Sequence, residues 1–82
     1  MNVYSDRVVP LLIPGTPVVT EDGHNLGTVA VSRPGFFRVK PHWHFGFWLP
    51  AEAIDEVSAG QVKLLIPLTW VDNCKVEPPV AA

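Results

Sequence analysis

Apolar and polar positions alternate in short stretches along this chain, and proline or glycine breaks most of them before an ordinary helix could form. Pro17-Val18-Val19-Thr20 reads as a strand, and Glu21-Asp22-Gly23-His24-Asn25 as the turn after it, with Asp22-Gly23 supplying the positive φ that hairpin turns need. Leu26 to Ser32 is rich in β-branched residues and forms the next strand. Arg33-Pro34-Gly35 turns the chain again. Phe36 to Lys40 then alternates apolar with charged in its second half, as a half-buried strand does. Phe47-Trp48-Leu49 is strand-like, Pro50 to Ile54 predicts one helical turn, and Asp55-Glu56-Val57 leads to a turn at Ser58-Ala59-Gly60. Gln61 to Ile66 places Val62, Leu64 and Ile66 on one face and Gln61 and Lys63 on the other. Leu68 to Val76 predicts a last short helix anchored by Trp70 and Val71.

Five or six short strands with turns every eight to twelve residues predict an all-β fold, a small antiparallel β-barrel with one or two short helical turns. Its expected interior is Val18, Val29, Val31, Phe37, Val39, Leu49, Ile54, Val57, Val62 and Leu64. Eighty-two residues make one domain, burying about three-fifths of the surface of the unfolded chain. Residues 1–12 are expected as an N-terminal arm, 13–76 as the domain and 77–82 as a flexible tail.

Charge narrows the function. Six basic residues, scattered along the chain, against eight acidic ones leave a net charge of -2, without the basic footprint that a phosphate backbone requires, so no nucleic-acid partner is expected. The apolar run Val8 to Ile13 is interrupted by proline, has no basic start and is shorter than the roughly 20 residues that span a bilayer, so neither leader nor membrane partner is expected. A single cysteine, Cys74, allows no intrachain disulfide and points to a cytoplasmic protein.

Gly15 to Val29, with its strand, Asp22-Gly23 turn and Leu26-Gly27-Thr28-Val29 step, resembles the opening of PRC-barrel domains. Phe47 to Val57, containing Leu49-Pro50 and then Ile54, resembles the family's second landmark, and Gln61-Val62-Lys63-Leu64 its closing strand. The resemblance runs from about Ile13 to Ile66 and is to the stand-alone members of unknown function. It implies a small antiparallel barrel serving as a docking or assembly module, as in a photosynthetic reaction-centre subunit and a ribosome maturation factor, and it implies no catalytic residues. The arm before Ile13 matches no part of that pattern, and His42 to Trp48 is richer in aromatics and histidine than the charged hairpin usual there. Independently of the family, Gly27 inside a strand signals a bulge or a close backbone approach.

Two groups of residues are candidates for chemistry. His42 and His44 point the same way on an extended strand and could share zinc or another transition metal, with His24, Cys74 or Glu52 as a third ligand; otherwise no cofactor is implied. Trp43, Phe45, Phe47 and Trp48 crowd six positions, and a strand would alternate them between faces that so small a barrel cannot both bury. Trp43, Phe45 and Trp48 are therefore the candidate partner-binding residues, for a protein partner or a second copy in a homo-oligomer. The acidic pairs Glu21-Asp22 and Asp55-Glu56 point apart, no nucleophile motif surrounds Ser5, Ser32, Ser58 or Cys74, and the expected core leaves little pocket volume, so an enzyme is not expected. The leading expectation is a self-associating, non-enzymatic interaction module, and the alternative is a metal-bound or metal-bridged protein using His42 and His44.

Overall fold

The computed structural model describes residues 12–42, 45–58 and 60–77. Six strands appear in chain order, β1 (Pro17–Val19), β2 (Asn25–Arg33), β3 (Phe36–Lys40), β4 (Phe47–Pro50), β5 (Ile54–Ser58) and β6 (Gln61–Leu64). They form one sheet in the order β4-β3-β2-β1-β6-β5. All neighbours are antiparallel except β1 and β6, which run parallel through Val18–Val62 and Val19–Lys63. The expected small all-β fold is therefore present, as a mixed rather than wholly antiparallel sheet that is not closed into a barrel: among the described residues β4 and β5 stand at its two ends without pairing to each other.

The sheet nevertheless has to curl. Its two end strands are consecutive in the chain, joined by a single 3-10 turn at Ala51–Ala53, and four residue steps reach at most about 14 Å. The turn is bonded to both sides of the gap: the Ala51 amide donates to Gly35 C=O (2.8 Å) and the Leu65 amide to Ala53 C=O (2.8 Å). Every strand then sends a residue to one core, which contains Val18, Val29, Phe37, Val39, Leu49, Ile54, Val62 and Leu64, with Leu12 added from the segment before β1. Leu12, placed at the end of the arm by the sequence pattern, is buried there, and its amide donates to Ser32 Oγ (3.2 Å).

Two expected core residues lie elsewhere, each for a local reason. A bulge between Val29 and Val31 shifts the register so that Val31 faces Arg38 and Ser32 faces Phe37, which flips Val31 to the outer face, where it is half-buried. Val57 pairs with Val62 and shares its face, but it sits near the tip of the β5–β6 hairpin and stays 39% exposed. The run Asp55 to Val57, expected as a lead-in to a turn, is part of strand β5, bulged between Ile54 and Glu56.

Gly27 shows the close approach its position signalled. It is buried at φ +137°, and a Cβ there would lie 2.3 Å from the Lys40 carbonyl oxygen and 2.8 Å from Pro41 Cα. Beyond β6, a 3-10 turn at Leu68–Trp70 runs into a helical turn, α1 (Val71–Cys74). Val71 is the buried anchor, as expected, but Trp70 is 56% exposed: neighbouring residues of a helical turn point about 100° apart, so only one of the pair can face inward.

Candidate functional site

The aromatic segment divides where β4 begins. Phe47 pairs with Val39 and packs against the core, while Trp48 pairs with Arg38 on the outer face and is half-buried. The chain's own C-terminal segment returns to this edge: the Val76 amide donates to Trp48 C=O (3.0 Å), and Lys75 Nζ stands 4.5 Å from the centre of the Phe47 ring. Lys75 is held in turn by Asp72 (2.7 Å). Part of the expected contact strand is therefore already occupied from within. Phe45 is the opposite case, 95% exposed in the connection between β3 and β4. Beside it Gly46 leaves room for Arg38, whose Nε would lie 2.6 Å from a Cβ at that position. Trp43 and His44 lie outside the described residues.

The remaining metal candidates are dispersed. His42 is exposed in a cleft bounded by Gly27, Thr28, Lys40 and Pro41. His24 sits on the β1–β2 turn, Glu52 on the connecting 3-10 turn, and Cys74 packs against the core. Among the described residues no group of three or more His, Cys, Asp or Glu side chains is placed to hold a metal ion.

A polar cluster occupies the β1–β2 turn. The Thr20 hydroxyl donates to Asp22 Oδ1 and accepts the His24 amide (3.0 Å), the Leu68 amide donates to the same Asp22 oxygen (3.2 Å), and His24 Nε2 lies 3.6 Å from Asp22 Oδ2. The Thr20 hydroxyl holds the Asp22 carboxyl below the usual carboxylate range, helped by the Leu68 amide. Thr, Asp and His together suggest nucleophile chemistry, but Thr20 is fully buried and its hydroxyl is committed in both directions. Through Asp22 and the Leu68 amide the cluster ties the turn to the start of the C-terminal segment.

A second apolar region stands apart from the aromatic segment. Ile13 is 74% exposed and lies between two grooves. One, of about 490 Å³, runs between Leu12–Pro14 and residues 30–33 of β2. The other, of about 310 Å³, separates Leu12, Ile13 and Thr16 from the β5–β6 hairpin at Val57, Ser58 and Gly60. Its signal in the sequence was the run of apolar residues ending at Ile13, just before the Pro14-Gly15 turn. Leu65, Leu68 and Trp70 expose further apolar surface around the C-terminal turns. No helix among the described residues is long and apolar enough to cross a membrane. No family model, curated protein or solved structure matches the chain.

Proposed function

We propose that the chain is a non-enzymatic, cytoplasmic protein-interaction or assembly module with a PRC-barrel-like fold, which associates with itself. The observation that carries this reading is Phe45, a large apolar side chain left 95% exposed on the very segment whose aromatic content singled it out as a contact surface. The curled single-core sheet accords with the barrel-like part of the reading. A domain of this size also gains stability from burial between copies.

Native mass spectrometry of protein purified without a metal-affinity column, across a range of concentrations, tests it. A metal-free oligomer is the expected result. A monomer at the highest concentration, with no protein partner recovered, overturns self-association, and one metal per chain or per pair transfers the role to His42 and His44.

A further inference from the structure

Resting on the self-association reading and on Phe45, which carries it, we infer that copies meet through unlike surfaces: the basic, aromatic outer face of β2, β3 and β4 in one copy receives the acidic strand β5 of another. Basic residues that are scattered in the sequence are gathered by the fold. In β3, Phe37 and Val39 are buried, so Phe36, Arg38 and Lys40 point outward. Trp48 of β4 pairs with Arg38, and Arg33 of β2 pairs with Phe36; directly paired residues share a face. Three of the chain's six basic residues therefore lie on one outer surface, and β2, β3 and β4 contain no acidic residue. Among the described residues, none of the three has an ion-pair partner. Phe45 adjoins this face, because the Gly46 that follows it lies against Arg38, whose Nε would be 2.6 Å from a Cβ there. The exposed ring thus puts an apolar anchor beside the guanidinium.

The complementary charge stands on the same chain, at the other end of the sheet. Strand β5 has a single strand neighbour, and Asp55 and Glu56 are exposed at successive positions in it. Lys63 lies opposite Glu56, but among the described residues neither carboxylate forms a salt bridge. Pairing β5 with the β5 of another copy would bring like charges together, which is unfavourable. The β4 edge is no better a seat, since Val76 already bonds Trp48 there. Opposite charge favours the outer face instead, and a second copy supplies the acid that this face lacks. Each copy carries both halves of the contact.

Sedimentation velocity over a concentration series, at low salt and again at about 0.5 M, tests the inference on the full-length chain, with circular dichroism as the control for folding. Arg38→Glu/Lys40→Glu makes the face acidic, and Asp55→Lys/Glu56→Lys makes the strand basic. Lys40, Asp55 and Glu56 are exposed, so Lys40→Glu alone, with an expected loss of about 10-fold, replaces the first variant if half-buried Arg38 proves necessary for folding. Each double variant alone sets like charges against each other, and its dissociation constant should rise at least about 100-fold. An equimolar mixture of the two should associate again, because the acidic face of one then meets the basic strand of the other. Phe45→Ser should weaken the wild-type oligomer about 30-fold, and high salt should weaken it as well. An oligomer that is weakened by Phe45→Ser but ignores both charge variants overturns this pairing and leaves self-association standing, as does a mixture that stays monomeric. A wild-type chain that is monomeric throughout overturns both readings; if it then binds single-stranded oligodeoxythymidine, and Arg38→Glu/Lys40→Glu abolishes that binding, the face serves a nucleic acid and not a second copy.

Discussion

The two halves of β2 belong to one strand and behave as different surfaces. In the first half the strand has a neighbour on each side, β1 and β3, and the backbone at Lys40 and Pro41 comes so close to Gly27 that no side chain fits between them. Past the bulge after Val29, β3 remains but β1 has ended, and residues 30–33 become the wall of a groove. At Gly27 and Val29 the first half is closed and tolerates no added atoms, whereas the second half leaves apolar surface open beside Ile13. A single-residue bulge thus marks where the strand passes from holding the fold to presenting a surface.

The largest expected effect breaks the closed half. Gly27→Ala puts a Cβ against the Lys40 carbonyl at a φ that side-chain-bearing residues rarely adopt, and should cost about 3–5 kcal/mol, enough to abolish the unfolding transition of a domain this small. Thr20→Val removes a buried hydroxyl that serves both Asp22 and the His24 amide; a loss of about 1–2 kcal/mol in urea unfolding is expected, with the strand content unchanged.

Acid should loosen the same clamp more gradually. Because folding lowers the Asp22 pKa, its contribution is present above the unfolded carboxyl value of about 4 and is lost as pH falls through the folded value. Asp22→Asn should flatten that part of the stability-pH profile, and an unchanged slope below about pH 4 would show that the clamp does not depend on charge. At the open half the expected change is smallest: Ile13→Glu should shift the stability of the monomer by no more than about 0.5 kcal/mol, so that any larger loss would reveal a core role for a residue that stands 74% exposed.

Strand positions were legible where alternation and turn chemistry agreed, as at Val18, Phe37, Val39, Val62 and Leu64, all buried as their pattern requires. Gly27 was legible because a glycine weakens a β-branched run, a cost that a bulge or a close backbone approach makes worthwhile. Val31 was not: the bulge that turns it outward consumes one residue without a distinctive sequence mark. The parallel pairing of β1 with β6 was hidden for a different reason. Short runs such as Pro17–Val19 and Gln61–Leu64 specify which face is buried, but not which distant strand lies alongside. For the site, Phe45 was legible in the aromatic crowding, while Trp48 lost accessible edge to Val76 through a contact that spacing along the chain does not encode.

That parallel pairing also sets an order of events for folding. The β2–β3, β3–β4 and β5–β6 pairs each close locally and can zip from their turns. Joining Val18 to Val62 must bring together residues from opposite thirds of the chain, at a loop-closure cost that no nearby contact offsets beforehand. The β1–β6 junction, one strand in from the β5 edge of the sheet, is therefore the seam expected to close last, which makes β1 finding β6 the expected slow step of folding.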